Sequence, residues 1–281
     1  MHFSIVTPSF RNSNWLKLCI PSIADQGVSL EHIVQDSCSD DGTQEWLPHD
    51  SRVSAFIEKD GGMYDGVNRG LRRARGDVLA YLNCDEQYLP GALPAVQQLF
   101  AAHPDVDIVF ADALVVDSHG QYVCHRQTLP PLVRHTVACH LGILTCATFF
   151  RRRLIERGFL FDTTYRVIGD AEWIVRLLQA GTRMAHLPVV TSVFTDLGSN
   201  LGFSERSGQE QERLRAAFPS WWSRLSKLWM IQHRLRRLMA GYYHPPGGVY
   251  SLYTRLDPAR RREFAIQSPT ALWKGHVGLL K

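Results

Sequence analysis

Short apolar runs alternate with helix-periodic stretches from the first residues of the chain. Phe3-Ser4-Ile5-Val6-Thr7 is β-branched and apolar, and Pro8 ends it, so it reads as a buried strand. A helix is expected next, with Trp15, Leu18, Cys19 and Ser22 or Ile23 on its buried stripe, closed by Gln26-Gly27. His32-Ile33-Val34-Gln35 and Ala55-Phe56-Ile57 read as the second and third strands, with a short helix from Gln44 between them. After the Asp60-Gly61-Gly62 turn, Met63, Val67 and Leu71 recur at four-residue spacing, and Val78–Leu82 follows as a fourth strand. Strand and helix in strict alternation predict a parallel sheet wrapped by helices.

The second half is less regular. A helix is expected over 90–100 and strands over 108–111, 114–116 and 121–123, the last two as a hairpin through Asp117-Ser118-His119-Gly120. Residues 125–145, broken by Pro130-Pro131, give no clear pattern. A strand over 147–150 and a helix over 151–157 come next, then a helix over 171–180 with Asp170 as its cap and Gly181 at its end. Strands at 186–190 and 193–194, a loop at Gly198-Ser199-Asn200 and a helix over 205–217 complete this part.

Charge divides the chain. Residues 220–281 hold eleven Lys and Arg against two acids, while residues 1–219 hold twenty against twenty-five. The division expected is a catalytic body over 1–219 and a basic, Trp- and Arg-rich extension over 220–281. Trp221-Trp222, Leu225, Leu228-Trp229, Leu235 and Leu238 form an apolar stripe interleaved with arginines. That stripe either lies on an anionic membrane surface or packs back onto the body. Within the extension, 250–253 and 263–266 read as strands.

Six cysteines are scattered without a C-x-x-C pair, and no stretch reaches the about 20 apolar residues of a membrane span. The amino terminus runs directly into a strand without a basic leader. The expectation is a cytoplasmic protein, peripheral at the inner membrane face if the extension binds there, and no nucleic-acid partner. His135, Cys139 and His140 lie close together, but they lack a further ligand at metal-site spacing, so no metal role is read there.

Several polar residues close the strands. Asp85 and Glu86 follow the fourth strand, at the carboxyl end where α/β sheets bind ligands; they are either a solvated turn or oxygen ligands for Mg²⁺ or Mn²⁺. Asp36 ends the second strand, either forming a turn or accepting a hydrogen bond from a base. Asp170 is a helix cap, a proton acceptor, or both. Arg176 reads as part of a solvated helix face or as a structural ion pair.

In order and spacing these segments resemble family 2 glycosyltransferases of the GT-A fold, inverting enzymes that use nucleotide sugars. The resemblance covers about residues 3–203. Ile5-Val6-Thr7-Pro8-Ser9-Phe10 is similar to the opening strand and nucleotide loop, which implies nucleotide contacts at Thr7, Pro8 and Ser9. Asp36-Ser37-Cys38-Ser39-Asp40-Asp41-Gly42-Thr43 resembles D-G-G-S-T-D-G-T, which puts Asp36 on the base. The stretch from Asp60 to Gly70 resembles D-x-G-I-Y-D-A-M-N-K-G and implies that Asp60, Asp65 and Asn68 border the nucleotide, although a helix start accounts for the last two nearly as well.

Leu82-Asn83-Cys84-Asp85-Glu86 resembles the L-N-S-D-D form of the metal motif, implying Asp85 as metal ligand and Asn83, where many relatives have Asp, beside the nucleotide. Gly169-Asp170-Ala171-Glu172-Trp173 resembles E-D-x-D-L-W, with Gly169 in place of the family's glutamate and Asp170 as general base.

The implied fold is α/β, a Rossmann-like mixed, mostly parallel sheet flanked by helices. The implied reaction moves a sugar from a nucleotide-diphosphate donor, UDP favoured over GDP or dTDP, to a saccharide or lipid-linked acceptor, as in cell-surface polysaccharide biosynthesis. Two alternative functions compete with this one. A sugar nucleotidyltransferase needs a glycine-rich basic loop after the first strand, where Thr7–Asn12 has one Arg and no Gly. A non-catalytic nucleotide-binding subunit of a membrane assembly would not need intact carboxylates.

Overall fold

The computed structural model describes residues 1–198 and 204–273, so the loop expected at Ser199-Asn200 lies outside the described residues. The first half follows the predicted alternation: β1 (Phe3–Ser9), α1 (Ser13–Ala24), β2 (Leu30–Asp36), α2 (Thr43–Trp46), β3 (Ser54–Ile57), α3 (Met63–Arg73) and β4 (Val78–Tyr81). Then come β5 (Gln87–Tyr88), α4 (Ala92–Ala102), β6 (Ile108–Asp117), β7 (Tyr122–Arg126), α5 (Val133–Ala138), β8 (Thr148–Arg151) and α6 (Arg153–Glu156). The order closes with α7 (Gly169–Gln179), β9 (Met184–Asp196), α8 (Glu205–Ala216), α9 (Ser220–Arg224), α10 (Ser226–Met239), β10 (Gly248–Thr254) and β11 (Asp257–Ile266).

The main sheet runs β3-β2-β1-β4-β8-β6-β9-β5, with β7 added to β6. Strands β3, β2, β1 and β4 are mutually parallel; β8 is antiparallel to both β4 and β6, and β6 and β9 are again parallel. This is the mixed α/β sheet expected. Strand order reverses around β1, which lies between β2 and β4, and such a switch point opens a crevice at the strands' carboxyl ends.

Alternation along β1 fills both layers. Phe3 and Ile5 join a core with Val78, Ala80, Leu93, Val96 and Phe100 on the α1 and α4 side. Val6 faces the opposite core of Val67, Leu71, Leu79, Tyr81, Trp173, Ile174 and Leu177, under α3 and α7.

Three expectations change in the second half. The segments 108–111 and 114–116 are one strand, β6, and 186–190 and 193–194 are one strand, β9. Pairing between them shifts register around Asp112, where Leu187 and Val190 face successive β6 residues, so Pro188 and Val189 sit in a bulge. Proline is tolerated there because a bulge removes the ladder bond its missing N–H would have made. Finally, Asp170 is not the cap of α7: the helix begins at Gly169 and Ile168 holds the cap position.

The extension contacts the body along its length. Tyr250, Leu252 and Phe264 of the β10–β11 hairpin pack on Leu89, Leu114, Val116 and Val193. Arg261 pairs with Asp25 at 2.6 Å. Arg134 of α5 lies 5.4 to 5.6 Å from the ring centroids of Trp221, Trp222 and Trp229. The opposite edge of the stripe, Leu225, Leu228, Ile231, Leu235 and Leu238, is exposed. No helix among the described residues is long and apolar enough to cross a membrane.

Candidate active site

The crevice at the ends of β1, β2 and β4 gathers the acidic residues singled out by the sequence. Burial raises the Cys84 thiol, and the charges of Asp85, Asp36 and Glu86 raise it further against an opposing bond from Ser9. Tyr81, at the end of β4, is likewise raised by burial, then by Asp170 and Glu86, with a bond to Thr145 opposing. Four carboxyl groups from three separate segments therefore act on Cys84 and Tyr81 at this end of the sheet.

Asp85 and Glu86 differ within the turn. Glu86 is buried; its Oε2 accepts from the Asn83 N–H at 2.8 Å, and its own N–H returns to the Asn83 carbonyl at 3.1 Å. Glu86 is thus the brace of the turn, with Asn83 engaged through its backbone. Asp85 is half-buried, and its carbonyl accepts from the Thr195 hydroxyl of β9, which ties the turn to the far side of the sheet. Burial raises both carboxyl groups, and the charge of Asp85 adds to the effect on Glu86. Neither has an Arg, Lys or His partner among the ion pairs of the described residues. Adjacent oxygen ligands without a protein counter-charge fit a hard divalent cation, with Asp85 the more accessible ligand.

Asp170 lies in the first turn of α7. Its Oδ1 accepts from the Ala171 N–H at 2.8 Å and from the Tyr64 hydroxyl at 3.4 Å, while its N–H donates to the same hydroxyl at 3.1 Å. Burial raises this carboxyl to about 6, against the lowering effect of the Ala171 and Tyr64 bonds. A carboxylate tuned near neutrality suits proton acceptance. Tyr64 also explains the glycine at 169: a Cβ there would lie 2.6 Å from the Tyr64 ring, so the family's glutamate has no room in this packing.

The loop entering α7 is held by a residue that no local pattern marks. Glu210 of α8 is buried and accepts three successive backbone N–H groups, from Arg166, Val167 and Ile168, at 2.8, 2.9 and 3.1 Å. In sequence Glu210 reads as one acid on a polar helix face. Arg166, also unmarked, lays its guanidinium over Gly62, where any Cβ would collide with it.

The remaining expected nucleotide residues divide. Asp60 accepts from the Gly62 N–H at 2.8 Å and its N–H reaches the Ser37 hydroxyl at 3.2 Å, shaping the loop beneath Arg166. Asp65 accepts from the Gly61 N–H at 2.8 Å and pairs with Arg69 at 2.9 Å. Pro8 offers its carbonyl to the Cys84 thiol, and the Ser9 carbonyl accepts from the Ser37 N–H at 2.8 Å, joining the β1 and β2 loops. Asp36 is fully buried, its two oxygens taken by the Ser39 N–H and hydroxyl at 2.8 and 2.6 Å, so here it forms the turn.

Two of the expected residues have their side chains engaged elsewhere. Thr7 is buried with its hydroxyl on His32 Nε2 at 2.9 Å, so its side chain serves the core. Asn68 is buried with both ends of its amide on the Phe161 backbone, at 2.8 and 2.9 Å, which leaves nothing directed at a nucleotide. Arg176 makes the expected ion pair, with Glu172 at 2.9 Å.

Comparison with known proteins bears on the family and the fold. The PGL/p-HBAD biosynthesis glycosyltransferase of Mycobacterium bovis is 27% identical over 206 residues, covering 70% of this chain and 77% of the relative. The solved structure of S. aureus TarS 1-349 in complex with UDP-GlcNAc matches with a TM-score of 0.61 at 17% identity, over 77% of this chain and 66% of that one. This chain spans 39% of the longer TarS structure. The mannosyltransferase PcManGT from Pyrobaculum calidifontis, in complex with GDP-Man and Mn²⁺, matches with a TM-score of 0.53 at 17% identity, over 86% of this chain and 81% of that one. At such identities the structural likeness carries the fold alone. The profile of glycosyl transferase family 2 matches residues 4–159, which takes in the Asp36, Asp60 and Asp85 loops and stops short of Asp170. With more than half of its length matched, this chain belongs to glycosyl transferase family 2.

Proposed function

We propose that the protein transfers a sugar from a nucleotide-diphosphate donor to a saccharide or lipid-linked acceptor with inversion, in the assembly of a cell-surface polysaccharide or its precursor. The observation that carries this reading is that Asp170, raised to about 6 by burial, and Glu86, the neighbour of Asp85, both act on buried Tyr81 at the end of β4, while Asp85 has no counter-charge among the ion pairs of the described residues. Asp170 takes the proton of the acceptor hydroxyl as it attacks, and its hydrogen bonds to Tyr64 and Ala171 hold it in place for that transfer. Asp85 would hold Mn²⁺ or Mg²⁺, which supplies Lewis-acid stabilisation of charge on the leaving diphosphate.

Displacement in one step needs no enzyme nucleophile, which is the basis for inversion. TarS with UDP-GlcNAc and PcManGT with GDP-Man support a nucleotide-sugar donor of either base, PcManGT with Mn²⁺ supports a divalent metal, and the mycobacterial relative's name supports a biosynthetic role. The exposed leucines of α10, flanked by Arg224, Lys227 and Arg234, support contact with an anionic membrane surface where a lipid-linked acceptor would lie.

The test is turnover with a panel of UDP-, GDP- and dTDP-sugars, with product anomer assigned by NMR. Asp170→Asn is expected to abolish transfer while donor-induced thermal stabilisation persists. Undiminished transfer by that variant, or retention at the anomeric centre, would overturn the mechanism.

A further inference from the structure

The fold gives His135 and His140 a neighbour absent from their own stretch of sequence. His135 lies on α5, His140 in the turn after it, and His233 comes from α10 of the extension. One ring nitrogen from each lies within 4.8 Å of the others. His135 and His233 are each 4% exposed. Nε2 of His135 and both ring nitrogens of His233 have no hydrogen-bond partner, which is costly for buried polar atoms. The His135 and His233 rings stack at 4.0 Å, and the His140 ring meets His135 edge-on at 4.7 Å. Gly142 keeps the turn close, since a Cβ there would lie 3.4 Å from the His233 ring.

We propose that His135, His140 and His233 form a binding site for a divalent transition-metal ion of the zinc type, fastening α10 of the extension to the α5 turn. An ion at the centre of an equilateral triangle of nitrogens with the widest spacing, 4.8 Å, would lie about 2.8 Å from each. Rotation of the rings by about 0.7 Å toward the centre reaches the ~2.0–2.1 Å of a Zn–N bond. Three imidazoles leave a fourth position for water.

The protonation state suits the role. Burial, followed by the nearby Arg237 charge, lowers His135 to about 4; burial, then His135 and Arg237, lowers His140 to about 3. Burial likewise lowers His233. All three rings are therefore neutral near pH 7 and carry free lone pairs. Imidazole nitrogens favour zinc, nickel or copper over the magnesium or manganese expected at Asp85. Arg236, Arg237 and Arg126 are the charged neighbours, and their repulsion weakens but does not remove a hold made by three neutral donors.

The full chain, stripped with chelator and returned to Mg²⁺, is titrated with Co²⁺ and then Zn²⁺. The wild type is expected to take up one Co²⁺ with the intense visible absorption of a four-coordinate site, and to lose it to Zn²⁺. Zn²⁺ at about a hundredfold excess over its Kd should raise the melting temperature by about 5 °C or more. His233→Ala and the partly exposed His140→Ala should each weaken uptake at least about tenfold, with circular dichroism verifying their fold, whereas Asp85→Ala should retain the absorption. The proposal is overturned if the wild type shows neither absorption nor stabilisation, if folded His140→Ala and His233→Ala bind as the wild type does, or if the signal disappears with Asp85→Ala instead.

Discussion

Glu210 offers the sharpest test of how the site is built, because it touches Asp170 only through the loop between them. In Glu210→Gln one oxygen becomes an NH₂ group. If the remaining oxygen keeps the Val167 and Ile168 N–H groups, the NH₂ faces the Arg166 N–H and the Arg206 guanidinium, donors against a donor. One backbone bond to a charged acceptor is lost outright, at about 1.5–3 kcal/mol, and the other two lose their charge assistance. Water reaches the exposed Arg166 side of the loop and recovers part of this. The expected net loss is about 2–3 kcal/mol, a fall in melting temperature of about 3–5 °C for a chain of this size.

Burial raises the Glu210 carboxyl, but three backbone N–H groups and Arg206 together outweigh it and hold it below its ordinary value. Its stabilisation is therefore present above the unfolded pKa and lost as pH falls through the folded one, so wild type and variant should converge in stability at low pH. Because the loop aims Asp170, kcat should drop by about tenfold or more, while donor affinity measured by thermal shift stays within about twofold. The assays are melting curves over pH and steady-state kinetics. A variant that melts within about 1 °C of wild type at neutral pH with unchanged kcat would refute the reasoning.

Three other predictions follow from the same geometry. With Asp170 ionising at about 6, kcat/KM of the wild type should rise with pH through that value and level off above it; a rate flat down to pH 5 would remove Asp170 as the base. Asp85→Asn should lower turnover by about 10²-fold or more and blunt the response to Mn²⁺, read by titrating metal against chelator; full activity in chelator would sink the metal role. Gly169→Ala should destabilise by about 1–3 kcal/mol through the Tyr64 ring, and Tyr64→Leu in the same chain should recover part of that loss; equal melting of Gly169→Ala and wild type would show that the ring gives way freely.

Local periodicity sufficed for the first half of the fold because each strand–helix unit there is buried by its immediate neighbours in sequence. It also placed Asp36 and Asp85 at strand ends, where chain direction alone puts them at the ligand-binding edge. What periodicity cannot carry is the partner of a side chain. Asn68 was expected beside a nucleotide, but its amide closes on Phe161, ninety-three residues on. β5 is two residues long and exists only because β9 pairs with it.

The same division marks the site. Residue types and their order marked Asp85 and Asp170 in sequence as candidates for metal binding and proton transfer. Only the tertiary structure decided that Tyr64 occupies the room a glutamate would need at 169, that Glu210 ties down the loop before Asp170, and that His233 joins His135 and His140. Each of these depends on atoms brought together across tens of residues by burial of a shared core, a contact that no single stretch of the chain encodes.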